Sequence, residues 1–110
     1  MIKPTASFKD NLALLPSIEG LIRLDLIDAQ GRVVASIETQ PGKQGSLAVY
    51  QYLQREFGSL NVASAEHGIE IFAEHSADAK SRPGAHPNIS RLMEIAANGS
   101  DLRVALISAA

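Results

Sequence analysis

The sequence contains no cysteine and no tryptophan, and aromatic residues make up only 5% of it. The lack of cysteine excludes a disulfide framework, a thiolate metal site and a cysteine nucleophile. With so few aromatic rings, the core has to be built mainly from leucine, isoleucine, valine and alanine. An aromatic ligand cage is not expected.

The chain also lacks a charge excess and a long apolar run. Ten basic residues against twelve acidic ones leave a formal net charge of -2, whereas nucleic-acid binders usually carry a basic excess, so no nucleic-acid partner is expected. Neither a signal peptide nor a membrane span is visible, which favours a cytoplasmic protein without membrane contact. At 110 residues and 45% hydrophobic content, we expect one globular domain over residues 1–110.

Alternation of apolar and polar residues predicts three strands. The first covers residues 21–28, the second residues 33–38 and the third residues 102–106. Gly31 in the short connection between the first two suits the left-handed position of a hairpin turn. We therefore predict a three-stranded, largely antiparallel sheet made of an N-terminal hairpin and a C-terminal strand.

Four helices are predicted from capping signals and apolar stripes. The first starts at Ser7 and stops before Pro16, the second follows Ser46 as its N-cap, the third covers residues 61–80 and the fourth begins at Pro87. The resulting order is αββαααβ. Because one face of the predicted sheet is partly polar, this α+β fold should carry its helices mainly on the other face.

Two residues of the third predicted helix stand out. Gly68 interrupts the middle of the helix, which is explained if another backbone approaches it closely. Ile71 falls outside the apolar stripe, so we expect it to be exposed in a monomer and available for a symmetric contact with a second copy.

A first candidate anion site is the turn of residues 42–46, where Lys43, Gly45 and Ser46 precede a helix. Free backbone N–H groups and the positive end of a helix dipole favour a phosphate or carboxylate there. The spacing is not that of a P-loop. The alternative is an ordinary turn followed by a capping serine.

A second candidate is the loop of residues 82–88, which contributes Arg82, His86 and Asn88 at the start of the fourth helix. The alternative assigns the arginine to the C-terminal dipole of the preceding helix, and the histidine or asparagine to the next N-cap. The two loops form one anion pocket if they lie side by side in the fold.

An acidic ridge is expected on the third helix, with two histidines beside it. Its members are Glu66, Glu70, Glu74 and Asp78, and the histidines are His67 and His75. The histidines are about 12 Å apart along a helix axis, too far to share one metal ion. A solvated face is therefore preferred to a metal site. We assign no catalytic residue and no cofactor, because no local catalytic signature is present.

Three stretches carry a resemblance to a known family, namely residues 10–16, 41–50 and 82–89. Together they resemble an uncharacterised proteobacterial family, domain of unknown function 2322. The resemblance implies a bacterial, single-domain, cytoplasmic protein and assigns no reaction, cofactor or partner.

The function that we expect is therefore a non-catalytic binding or interaction module, with an unknown protein partner or with self-association. The alternative is a small anion-binding enzyme or sensor that recognises phosphate or carboxylate with the two loops.

Overall fold

The computed structural model describes residues 1–109, so the last residue of the predicted domain lies outside the described part. It has an α+β fold with five helices and a three-stranded sheet. In chain order the elements are α1 (Phe8–Leu12), β1 (Leu21–Ile27), β2 (Val33–Glu38), α2 (Gln44–Phe57), α3 (Val62–Phe72), α4 (Glu74–Ser81), α5 (Pro87–Asn98) and β3 (Arg103–Ser108). The strand order is β2-β1-β3, and both pairings are antiparallel. The predicted fold class and sheet are confirmed.

The β1–β2 hairpin is closed by the turn that the sequence predicts. The Asp28 N–H donates to the Arg32 carbonyl at 2.9 Å, and the Asp28 carboxylate accepts from the backbone N–H groups of Gln30 and Arg32. Gly31 has a φ of +81°, the left-handed conformation that glycine adopts without a steric penalty.

The two faces of the sheet differ as predicted. The inner face presents Leu24, Leu26, Ile37 and Val104 to the helices, and all four are buried. On the outer face, the Asp25 carboxylate accepts hydrogen bonds from Ser36 Oγ at 2.7 Å and Arg23 Nε at 3.1 Å. These two donors lower the pKa of Asp25. The helices therefore cover the apolar face of the sheet and leave a polar one.

The third predicted helix is interrupted at Ala73, which separates α3 from α4. Ala73 has φ 53° and ψ −118°, and it has the only positive φ among the non-glycine residues of the described chain. The acidic ridge expected along one continuous helix is thereby divided between two helices.

The prediction that Ile71 is exposed is wrong. Its side chain is 0% exposed, and its carbonyl accepts from Asn11 Nδ2 at 2.9 Å. The buried positions of α3 are Ser64, Ala65, Gly68, Ile71 and Phe72. The apolar stripe drawn over 20 residues was misplaced because the helix stops at Phe72, and the N-terminal segment that includes α1 packs beside Ile71.

The neighbours of Gly68 also differ from the expectation. A β-carbon at this position would lie 2.8 Å from Leu53 Cδ1 and 2.8 Å from Leu92 Cδ1. Side chains from α2 and α5 therefore occupy the space beside the glycine, instead of another backbone. Gly68 lets three helices pack closely at one point.

The Cα radius of gyration is 13.0 Å, the value expected for one compact domain of this length. Within residues 1–109 no helix has the length and apolar character needed to cross a bilayer.

Candidate functional site

A cavity of about 540 Å³ opens where the start of α2 faces the start of α5. Two backbone segments line it, residues 42–46 and residues 85–89, together with side chains of α1, α3 and α4. The turn and the loop that carry the two predicted anion sites thus lie side by side. The remaining lining residues are Phe8, Leu12, Phe72 and His75.

The start of α2 leaves backbone donors free at the cavity. Lys43 is the N-cap and makes no side-chain cap, and α2 begins at Gln44. Within residues 1–109, the N–H groups of Gln44, Gly45 and Ser46 have no backbone or side-chain acceptor. The prediction that Ser46 is the N-cap is wrong, because Gly42 at φ +84° closes the turn earlier and puts Ser46 inside the first helical turn.

The start of α5 is likewise uncapped. His86 is the N-cap without a side-chain cap, and Pro87 follows at the first helical position. Asn88 does not cap either, since its Oδ1 accepts from Arg91 Nη1 at 2.9 Å. Its carbonyl accepts from the buried Tyr50 hydroxyl at 2.6 Å. The Asn88 N–H has no acceptor in the described chain, so α5 also presents a free donor near the cavity.

Asp78 on α4 joins His86 to Arg82. Its Oδ2 lies 2.6 Å from His86 Nε2, and its Oδ1 accepts from Arg82 Nε at 2.8 Å. These hydrogen bonds, the one from Arg82 foremost, hold the pKa of Asp78 well below its usual range. Arg82 does not line the cavity, so its predicted direct role in the pocket is not supported; it is instead the partner of a carboxylate that contacts a lining histidine.

His75 lines the cavity as well, although the sequence pattern predicts it on a solvated helix face. Its ring centroid lies 5.6 Å from that of His86 and 5.2 Å from that of Phe8, which in turn stacks on Phe72 at 5.2 Å. We predicted His75 beside an acidic ridge. Because of the break at Ala73, α4 does not continue the direction of α3, so the helix face predicted for His75 does not apply. No local signal in the sequence predicts that break.

Glu74 and His67, which were predicted on the same solvated helix face, contact different parts of the fold. Glu74 accepts a hydrogen bond from the Phe8 N–H at 2.7 Å, which lowers the pKa of Glu74 and ties α1 to the cavity wall. His67 Nε2 lies 2.9 Å from the Tyr52 hydroxyl, and burial lowers the pKa of His67. Within the described residues, no three side chains of metal-ligand type converge.

Comparison with known proteins identifies a family. A family model described as "Uncharacterized protein conserved in bacteria (DUF2322)" matches residues 8–106. No curated protein and no solved structure matches the chain. All residues that line the cavity fall within the matched range.

Proposed function

The chain belongs to the bacterial family DUF2322, and we propose that it binds a small organic anion, a carboxylate or a phosphate, in the cavity between α2 and α5. The observation that carries the proposal is that the two uncapped helix starts line the same cavity.

The electrostatics of the cavity favour a negative group. Helices α2 and α5 have 14 and 12 residues, and each places the positive end of its dipole at the cavity. The unpaired N–H groups of the first turn of α2 supply donors to the same region. The exposed Lys43 adds a formal positive charge at the rim.

The remaining wall favours a ligand with an apolar body. Phe8, Leu12, Phe72 and Ile89 supply aromatic and aliphatic surface. A volume of about 540 Å³ falls within the usual range of small-molecule sites. An organic anion places its charged group at the helix starts and its hydrocarbon part against these rings.

The test is a titration of the full chain with phosphate, sulfate, acetate and benzoate, in which amide chemical shifts report binding. We expect residues 43–46 and 86–89 to respond with one dissociation constant, and benzoate to bind more tightly than acetate. Lys43→Gln should weaken binding. Lys80→Gln removes the same charge from an exposed position outside the cavity and should not. Different constants for the two segments, or equal effects of the two variants, would contradict the proposal.

Self-association is a second candidate function, and the edge strand β2 is the surface that we propose for it. Val33 and Val34 are 56% and 52% exposed there, and the outer edge of β2 is unpaired in the described sheet. A second copy is the occupant that we propose. Light scattering that shows a strict monomer at high concentration would contradict it.

The site of action that we propose is the bacterial cytoplasm. Fractionation of the native bacterium tests this, and recovery of the protein from the periplasm or the membrane would contradict it.

A further inference from the structure

We propose that His86 is a phosphoryl-accepting residue, whose Nδ1 takes a phosphoryl group from a small donor with a labile P–N bond. The inference rests on the proposed anion site and names the use of that site. It stands on two observations, namely that the His86 imidazole contacts the Asp78 carboxylate and that His86 lines the cavity proposed to bind anions.

Asp78 fixes which ring nitrogen is nucleophilic. The carboxylate oxygen lies 2.6 Å from Nε2 of His86. Because Arg82 keeps this carboxyl group ionised, Asp78 accepts and Nε2 donates, so the neutral ring carries its proton on Nε2. The lone pair is then on Nδ1, which has no hydrogen-bond partner among residues 1–109. Asp78 is thus a positioning residue.

The surroundings of the ring suit a phosphoryl group. His86 is the N-cap of α5, lines the cavity and keeps 26% of its side chain exposed. A dianionic group on its ring would share the cavity with the free donors of the two helix starts and with the Lys43 charge, since all of these residues line it. The positive charge and free donors at the cavity therefore favour the phosphoryl group that the donor transfers.

The other two histidines lack this combination, and they serve as internal controls. His67 Nε2 is engaged with the Tyr52 hydroxyl, and His67 does not line the cavity. His75 lines the cavity and packs against Phe8, but no carboxylate contacts its ring nitrogens in the described part of the chain. Selective reaction at His86 therefore requires the Asp78 contact in addition to the cavity.

The step balances without an oxidant or a metal. The Nδ1 lone pair attacks phosphorus and forms the P–N bond, while the donor's P–N bond breaks and its electron pair leaves with the amine. The imidazole ring gains a positive charge and keeps its Nε2 proton, which faces the Asp78 carboxylate. With phosphoramidate, whose nitrogen is protonated, the leaving group is neutral ammonia. Attack of water on phosphorus later restores the neutral ring.

The experiment treats the full-length protein with potassium phosphoramidate and follows each histidine by peptide mass spectrometry. We expect His86 to be labelled about tenfold or more faster than His67 and His75, the factor that one charge-assisted hydrogen bond supplies. A two-dimensional proton–phosphorus correlation should place the group on Nδ1. Labelling at equal rates, or on Nε2 of His86, would overturn the inference.

Variants then separate orientation from folding. Asp78→Asn can donate to Nε2, which moves the proton to Nδ1, so we expect the rate advantage of His86 to disappear and the Nδ1 selectivity to be lost. His67→Gln, a change of histidine outside the cavity, should leave the advantage over His75 and the Nδ1 selectivity unchanged. If Asp78→Asn does not fold, the rate ratio and bond position in the unmodified protein still decide the question.

Titration with inorganic phosphate distinguishes the two proposals. Phosphate binding at residues 43–46 and 86–89 without selective labelling of His86 overturns the phosphoryl-acceptor inference and leaves the anion site standing. Selective labelling with no phosphate or carboxylate binding overturns the proposed binding function and leaves His86 as a nucleophile.

Discussion

At the scale of single residues, the Asp78 carboxylate places a negative charge next to His86, which lines the cavity. The ionisation of Asp78 can be measured directly. Its pKa lies below the ordinary value of 3.8 because Arg82 and His86 donate to the carboxylate. We expect a carbon-13 titration of the carboxyl group to show this lowered value. Arg82→Gln should raise it toward 3.8.

The sign of the linked stability effect follows from the lowered pKa. The contribution of this ion pair is present above the unfolded value of 3.8 and is lost as the pH falls below it toward the folded value. The urea midpoints of the wild type and of Arg82→Gln should therefore differ above about pH 5 and converge at lower pH. The effect is small because the pair is exposed. Arg32→Gln removes a charge elsewhere and should show no such convergence.

The sequence predicts a left-handed conformation for Gly31 in the hairpin turn, and the structure has that conformation. Its φ of +81° is strained for any residue with a β-carbon. Gly31→Val should destabilise the protein by about 1–2 kcal/mol, measured as a lower denaturant midpoint. Gly31→Asn should lose less, since asparagine tolerates this conformation. An unchanged midpoint for the valine variant would show that the turn readjusts freely.

Residues that respond to their immediate neighbours were predictable, and residues placed by distant contacts were not. Ser7 caps α1 through the Asp10 N–H as its local motif indicates. Ile71 is buried because a segment some 60 residues away in the chain packs against α3. Nothing near Ile71 in the sequence carries that information.

At the scale of elements, the break between α3 and α4 is the feature that shapes the cavity wall. Ala73 adopts φ 53° and ψ −118°, a region that residues other than glycine occupy at a penalty of about 1–3 kcal/mol. Relief of this strain exceeds the extra entropy that glycine gives the unfolded chain. We expect Ala73→Gly to stabilise the protein by about 1 kcal/mol in chemical denaturation.

A matched control lies four residues away. Ala77 is exposed within α4, so Ala77→Gly should destabilise by about 1 kcal/mol through lost helix propensity. If both variants lose stability equally, Ala73 is not strained in solution.

Strands and helices could be located from the sequence to within a few residues, because their apolar periods are local. The break at Ala73 could not be found, since alanine favours helix and no proline or glycine stands beside it. The structure nevertheless breaks the helix at this residue. For the same reason the sequence placed His75 on a solvated ridge, although it lines the cavity.

At the scale of the whole molecule, the candidate site exists only because two helix starts far apart in the chain meet. The sequence indicated the two starts from Gly42 and Pro87, whereas the predicted capping side chains make no cap. Whether the two starts meet depends on the packing of α2 and α5 against the rest of the fold. Tyr50 is part of that packing, since its hydroxyl donates to the Asn88 carbonyl and accepts from Arg91 Nη1.

Burial of Tyr50 links this packing to alkaline stability. Burial raises the pKa of Tyr50 to about 12, so its contribution is complete below the unfolded value of 10 and is lost as the pH rises toward 12. The loss amounts to about 3 kcal/mol for a shift of this size. In Tyr52→Phe, where Tyr50 is the only remaining tyrosine, phenolate absorbance should appear near the folded pKa and accompany unfolding.

Tyr50→Phe is the matching control for the alkaline experiment. It removes the titrating hydroxyl, so in the same Tyr52→Phe background the alkaline loss of stability should shrink. Ionisation of Tyr50 near pH 10 without unfolding would contradict the buried bridge between α2 and α5.

The strand order β2-β1-β3 has a consequence for how the chain acquires its structure. The β1–β2 hairpin is local, whereas β3 reaches β1 only across the whole helical part of the chain. Since distant pairings close late, we expect amide hydrogen exchange in a refolding pulse to protect the hairpin before β3. During synthesis, one edge of the central strand β1 therefore stays unpaired until residues 103–108 leave the ribosome. An unpaired strand edge can pair with another chain, so the nascent chain is most prone to misassembly in that interval.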